Sequence, residues 1–270
     1  MTQPSYALVT GASRGLGKYF ARALAARQNH LVLVARNNDR LAALAAELEK
    51  AHGIRAETLV LDLASPGAGE RLAEQLKDRG LKIDLLVNNA GFGDQGEFLK
   101  LSLARQLEMI NLQNATVVEL TYNLLPAMIE QRRGGIINVS SMAGFQPIPY
   151  ATIYSATKSF LTTFSLALEA EVRRYKLAVV TLCPGRLRAD PEEAEEGERK
   201  RVPGGEQSHE EVVRLALRML DRGGGLVIPG AMNKFAAFAA TLVPRSRVAR
   251  LIGKMTKKQH IQTGKCRIRF

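Results

Sequence analysis

At 270 residues and 46% hydrophobic composition, the chain can bury a full core and fits one large α/β domain as readily as two small ones. Two cysteines, Cys183 and Cys266, are too few for a disulfide framework, and the first residues run into an apolar strand without a signal-peptide pattern, so a reducing, cytoplasmic setting is expected. The longest apolar run, Phe235 to Val243, is about half the roughly 18 to 20 residues of a membrane span, and the formal charge of +12 belongs to a C-terminal tail with no Asp or Glu from Arg222 to Phe270.

Tyr6 to Val9 predicts a first strand, followed by Thr10-Gly11-Ala12-Ser13-Arg14-Gly15-Leu16-Gly17 and then a helical apolar pattern from Tyr19. Strand, glycine-rich turn and helix in that order set backbone N–H groups and a positive helix end where a pyrophosphate can sit. The spacing is GxxxGxG rather than GxGxxG, and such a turn alone also fits a plain tight connection. A second strand, Leu31 to Val34, ends in Ala35-Arg36. Dinucleotide-binding folds place an acid at the end of this strand for the ribose hydroxyls, whereas arginine suits a 2′-phosphate. Arg36 with Arg14 therefore favours NADP(H) over NAD(H), the bland alternative being two surface arginines.

A helix over Asp39 to His52 leads to a third strand, Ala56 to Leu61, closed by Asp62-Leu63, where a carboxylate could accept from an adenine amine. A helix from Gly69 to Arg79 precedes a fourth strand, Leu85 to Val87, and Asn88-Asn89-Ala90-Gly91. This alternation predicts a single-domain α/β, Rossmann-type doubly wound fold over residues 1–270, with a seven-stranded parallel sheet, helices on both faces and ligands at the carboxyl ends of the strands.

A helical stretch, Leu101 to Met128, carries Asn111 in an otherwise apolar pattern, which reads as a polar group satisfying backbone or as a helix bulge with a water beside it. A fifth strand, Ile136 to Val139, runs into Ser140-Ser141, then a loop through Pro147 and Pro149. The next helix, to about Tyr175, opens with Tyr154-Ser155-Ala156-Thr157-Lys158. Tyr154 and Lys158 lie one turn apart on one face, and a cation beside a phenol lowers its pKa toward a useful range for proton transfer. Alone, the pair also fits a half-buried aromatic and a solvated charge. A sixth strand, Leu177 to Leu182, ends in Cys183-Pro184-Gly185. The charged, Pro/Gly-punctuated segment 186–207 reads as a substrate lid or a solvated loop. A helix from Glu210 to Leu220, a seventh strand, Leu226 to Ile228, and a basic helical extension over 231–270 complete the chain.

Together these residues resemble the short-chain dehydrogenase/reductase family from Ser5 to about Gly230: TGASRGLG, NNAG, Asn111, Ser141 thirteen residues before Tyr154, the Tyr154 to Lys158 motif and Pro184-Gly185. The resemblance implies NADP(H)-dependent interconversion of a carbonyl and an alcohol by hydride transfer. Tyr154 would protonate the carbonyl oxygen, Ser141 rather than Ser140 would hydrogen-bond it, Lys158 would lower the phenol pKa and hold the nicotinamide ribose, and Asn111 would hold a water linked to Lys158. The implied cofactor contacts are Gly11, Ser13, Arg14, Gly15, Leu16, Gly17, Arg36, Asp62, Leu63, Asn88, Ala90, Gly91, Tyr154, Lys158, Pro184 and Gly185; no metal is implied. The threonine common a few residues after Pro-Gly is replaced here at about Ala189, which puts cofactor affinity in question.

Walls at Phe92, Gly93, Ala143 to Tyr150 and the 186–207 segment suggest a lipophilic ketone, 3-oxoacyl chain, steroid or small aldehyde. The family also implies pairing into a homodimer or homotetramer through the helices around Leu112 to Met128 and Tyr154 to Tyr175. In the tail, Phe235, Phe238, Leu242, Val248, Leu251, Ile252 and Met255 alternate with cations, which fits a pocket cap, a subunit contact or peripheral contact with an anionic membrane. Nucleic acid is disfavoured, since no reading module is present. The alternative function is a non-catalytic NADP(H)-sensing, or membrane- or partner-binding, protein on the same fold.

Overall fold

The computed structural model describes residues 5–189 and 206–263. Seven parallel strands, β1 (Ser5–Thr10), β2 (His30–Ala35), β3 (Ala56–Val60), β4 (Lys82–Asn88), β5 (Gly135–Val139), β6 (Ala178–Leu182) and β7 (Gly224–Val227), form one sheet in the order β3-β2-β1-β4-β5-β6-β7. The central strands are near-continuous apolar runs because both faces are covered, as parallel sheets require. One face carries α1 (Gly15–Ala26), α2 (Asn38–His52) and α7 (His209–Asp221), whose Phe20, Leu24, Leu41 and Leu217 pack on Val9, Leu33 and Val180. The other carries α3 (Ala68–Asp78), α5 (Thr116–Gln131) and α6 (Thr152–Val172), with Leu72, Leu120 and Val172 against Leu8, Val34 and Leu86. The strand order reverses between β1 and β4, so the turns after these strands open a crevice at the carboxyl edge, the expected ligand position of an open α/β sheet.

Two elements differ from the sequence expectation. The helix read as continuous from Leu101 to Met128 is broken into a 3-10 turn at Phe98–Lys100, α4 (Leu103–Ile110), a π turn at Asn111–Ala115, and α5. Ser102 starts α4, its hydroxyl accepting from Arg105 N at 3.4 Å, and the π turn is the helix bulge that Asn111 allowed in the sequence. β7 begins at Gly224, two residues before the expected Leu226. Glycines have poor strand propensity, but the register against Val179 and Val180 of β6 overrides it here. Two helices follow the sheet, α8 (Ala231–Leu242) and α9 (Arg245–Thr263), separated by Pro244. No helix among the described residues is long and apolar enough to cross a membrane. The lid reading of 186–207 falls largely outside the described residues; at its base Leu187 bridges Gln207 in parallel.

Candidate active site

Almost every sequence-derived candidate lies at the carboxyl edge of a strand. The turn over Gly11 to Gly17 follows β1, Arg36 follows β2, Asp62 and Leu63 follow β3, Asn88 to Gly91 end β4, Ser141 follows β5, and Pro184-Gly185 follow β6. Tyr154 and Lys158 come to the same edge from the first two turns of α6. Asn111 is the first residue of the π turn, its carbonyl accepting from Thr116 N.

The β1 turn is held from beneath by residues that the sequence reading left without a role. Thr10 Oγ1 donates to Val87 O at 3.2 Å and accepts from Asn89 N and Ala90 N, both at 3.0 Å. Asn89 Nδ2 donates to Thr10 O at 2.9 Å and to Gly11 O at 3.3 Å. The two turns flanking the crevice are thus tied into one unit. Asn88, by contrast, donates from Nδ2 to Asn138 Oδ1 at 2.8 Å, and Asn138 Nδ2 donates to Ser165 Oγ at 2.8 Å, a buried chain joining β4, β5 and α6. Its side chain works inside the sheet, which leaves its backbone for any ligand. Asp62 Oδ1 accepts from Ala64 N at 3.1 Å, and Leu63 O accepts from Thr116 Oγ1 at 2.8 Å, fixing the β3 end of the crevice.

The two serines separate cleanly. Ser140 Oγ donates to Lys158 O at 2.9 Å and lies 2.7 Å from Thr162 Oγ1. Ser141 Oγ accepts from Ala143 N at 3.1 Å and hydrogen-bonds the phenol of Tyr154. Lys158 Nζ donates to Val139 O at 2.9 Å and stands 5.8 Å from the centre of the Tyr154 ring. Tyr154 is packed among Met109, Ala143 and Ala151, with Phe92, Ile148 and Ile153 at the edges.

Burial dominates the electrostatics. It pushes the Tyr154 phenol well above its ordinary value, only partly offset by the Ser141 hydrogen bond. Burial also brings Lys158 down to about 8, with nearby Cys183 acting the other way. The expected lowering of the phenol by Lys158 is not the net direction within the protein alone, where burial dominates and Cys183 adds to the rise. A protonated phenol at neutral pH is the form required of a proton donor. Asn111 lies in a turn packed on α6, and its neighbour Asn114 donates from Nδ2 to Thr157 O at 3.3 Å.

The residues fit a phosphorylated dinucleotide. Arg14 and Arg36 are exposed at the crevice rim, with no carboxylate within ion-pair distance of either among the described residues. The buried Lys158 ammonium has one carbonyl acceptor, so it retains donors for ribose hydroxyls. Near the Pro184 end, Gln207 Oε1 accepts from Gly185 N at 2.9 Å, and Arg188 N donates to Gln207 O at 2.9 Å. Gln207 thus braces the stretch that ends at Ala189, a role no local sequence pattern signals. No group of three or more His, Cys, Asp or Glu placed to hold a metal occurs among the described residues.

A cleft of about 920 Å³ opens beside the start of α6, lined by Pro149, Tyr150, Thr152, Glu97 and Phe98 on one side and by α9 residues on the other. The α9 helix therefore contributes one wall of this cleft.

The short chain dehydrogenase family model matches residues 5–199. Among relatives, the ketoacyl reductase HetN of Nostoc sp. is 37% identical over 178 residues, covering 66% of this chain and 62% of that protein. The human very-long-chain 3-oxoacyl-CoA reductase is 34% identical over 183 residues, covering 66% of this chain and 58% of that one. The chain thus matches about three fifths of the length of these relatives. A short-chain dehydrogenase from Sphingobium yanoikuyae, solved in complex with NADPH, superposes with a TM-score of 0.75 at 28% identity, covering 99% of this chain and 98% of that one. L-sorbose reductase from Gluconobacter frateurii, solved with NADPH and L-sorbose, gives a TM-score of 0.74 at 27% identity, covering 84% of this chain and 96% of that one.

Proposed function

The chain belongs to the short-chain dehydrogenase family, and on that premise we propose that it is an NADP(H)-dependent oxidoreductase interconverting a carbonyl and an alcohol. The observation that carries this reading is the convergence of Ser141, Tyr154 and Lys158 beside the glycine-rich turn, with Ser141 bonded to the phenol and Lys158 buried one helical turn away. When bound, NADPH supplies the hydride. The protein's own groups then manage geometry and protons. The Tyr154 phenol, kept protonated by burial, donates its proton to the carbonyl oxygen. Ser141 hydrogen-bonds that oxygen as negative charge develops, and its own position is held by Ala143 N. Lys158 holds the nicotinamide ribose with the donors it does not give to Val139. Asn111, opening the π turn against α6, holds a water on the path from Lys158 to solvent. Arg14 and Arg36 clamp the 2′-phosphate.

The substrate in this reading is a 3-oxoacyl thioester or a similar lipophilic ketone. Support comes from the names of the relatives and from the apolar Phe98 and Pro149 in the cleft. The test is NADPH oxidation over 3-oxoacyl thioesters and neutral ketones of graded chain length, beside Tyr154→Phe. Turnover retained in that variant, with NADPH still bound, sinks the mechanism. The non-catalytic alternative has no support from the comparisons.

Two finer points belong to the same proposal. Val118 and Tyr122 on α5 and Phe160 and Leu166 on α6 are exposed apolar side chains, which supports pairing of two copies into a homo-oligomer through these helices. Sedimentation at graded concentrations tests it. On α8, Met232, Phe235, Phe238 and Leu242 are 77%, 65%, 63% and 69% exposed, and the cation-bearing α9 follows in the chain. That pattern supports peripheral contact of a cytoplasmic protein with an anionic membrane, tested by co-sedimentation with phosphatidylserine vesicles.

A further inference from the structure

The cleft beside α6 has one wall unlike the rest. Arg247, Arg250 and Lys254 line it from α9, and their spacing of three and four residues puts them on one helical face. Like charges at this spacing destabilise a helix. No carboxylate lies within ion-pair distance of the three among the described residues, and Glu97, across the cleft, is already paired with Lys100 at 3.0 Å. Arg250 gives Nε to Ser246 O at 3.3 Å, which leaves its terminal N–H groups for other acceptors.

The helix is also seated rather than loosely placed. Gly253 lies against Pro149, where a Cβ would stand 3.3 Å from Pro149 Cγ. The cations therefore face a loop that enters α6 two residues before Tyr154. Phe98, Pro149 and Leu251 add apolar surface to the same cleft, whose Thr152 wall opens α6 two residues before Tyr154. On the carbonyl-reduction reading, a ligand reaching from Tyr154 into this cleft has a carbonyl at one end, a mostly apolar arm, and an anionic group beyond it. A volume of about 920 Å³ accommodates such an elongated molecule, and arginine pairs with lysine to favour phosphate over a hydroxyl or amide.

We propose that Arg247, Arg250 and Lys254 form a subsite for the phosphate of the phosphopantetheine arm on which an acyl thioester substrate is carried. This rests on the carbonyl-reduction reading above and assigns the tail a specificity role in it. The same phosphodiester occurs in coenzyme A and on an acyl carrier protein.

The test compares one 3-oxoacyl group on coenzyme A, on acyl carrier protein and on phosphate-free N-acetylcysteamine, using the full chain and the triple variant Arg247→Gln, Arg250→Gln, Lys254→Gln. The wild type is expected to show a KM at least tenfold lower for the phosphate-bearing thioesters than for the N-acetylcysteamine thioester. The variant should raise KM tenfold or more for the former, leave kcat within twofold, and leave the latter unchanged. The lower KM of the two carriers identifies the source of the phosphate. Equal KM values for the three in wild type, or an equal loss on all three in the variant, would overturn the subsite. A separate titration with free coenzyme A keeps the two readings distinguishable. Binding to wild type but not to the variant upholds the subsite even where no thioester is reduced, and no binding to wild type overturns it while leaving turnover of a neutral ketone intact.

Discussion

The Ser141 hydroxyl hydrogen-bonds the phenol of Tyr154, while Ser140 beside it turns into α6 and donates to Lys158 O at 2.9 Å. Adjacent residues of an extended segment point to opposite sides, so one serine faces the Tyr154 phenol and the other supports the helix that carries Tyr154 and Lys158. Ser141→Ala is expected to lower kcat by about 10²- to 10³-fold, the usual loss of a donor to a developing oxyanion, with the urea midpoint little changed. Ser140→Ala should do the reverse: an activity change within a few-fold, and a stability loss of about 1 kcal/mol for the lost buried bond. Paired kinetics and urea unfolding on both variants decide it. A large kcat loss in Ser140→Ala alone would reverse the assignment.

Lys158 has a folded pKa of about 8 against an ordinary 10.5. Between these values the unfolded chain binds more protons, so this group's contribution to stability rises with pH from 8 to 10.5. Cys183, pushed up to about 11 from 9, acts oppositely, its contribution falling as pH passes from 9 through 11. Lys158→Met removes the first effect and, with the ammonium gone, leaves the Cys183 effect in place. The variant should be more stable than wild type at pH 7, and the gap should narrow as the pH approaches 10. Urea midpoints at pH 7, 8.5 and 10 measure it; a gap that stays constant contradicts the buried-ammonium account.

Much of the site could be read from the chain because it sits at strand ends, and strands buried on both faces announce themselves as apolar runs. The turn from Gly11, Arg36, Ser141 and Pro184 all follow such runs directly. The π turn at Asn111 was legible only as a bulge, since one inserted residue barely shifts an apolar helical pattern. The bracing roles of Thr10, Asn89 and Gln207 were not legible. Their roles come from partners far away in sequence, as when Asn89 holds Thr10 O and Gly11 O. The upward direction of the Tyr154 pKa is hidden from the sequence for a similar reason: a motif shows the cation nearby but not the extent of burial.

Arg36 and Arg14 are exposed at the crevice rim, which suits them to a phosphate that itself stays partly solvated. Each charge-assisted contact is worth about 1.5 to 3 kcal/mol, so Arg36→Ala should weaken NADPH binding by roughly 10- to 100-fold. NADH lacks the 2′-phosphate and should change less than threefold. Fluorescence titration with both nucleotides checks this. Equal losses would show that the arginine supports the turn instead of reading the phosphate.

Gly17 is where the turn leaves no room for a side chain. A Cβ there would stand 2.2 Å from Gly11 O and 2.6 Å from Asn89 Nδ2, the groups that join the two turns of the crevice. Gly17→Ala must therefore push the turn away from Asn89, at a cost of about 1 to 3 kcal/mol in stability as for other overpacked sites, and dinucleotide affinity should fall with it. Gly53 provides the control. It ends α2 in the left-handed region with φ 67° and has open space around its would-be Cβ, so Gly53→Ala meets only backbone strain, about 1 to 2 kcal/mol. The two variants should thus be destabilised to a similar degree, yet only Gly17→Ala should lose NADPH binding. If both bind as wild type does, the shape of the β1 turn is not what holds the cofactor's phosphates.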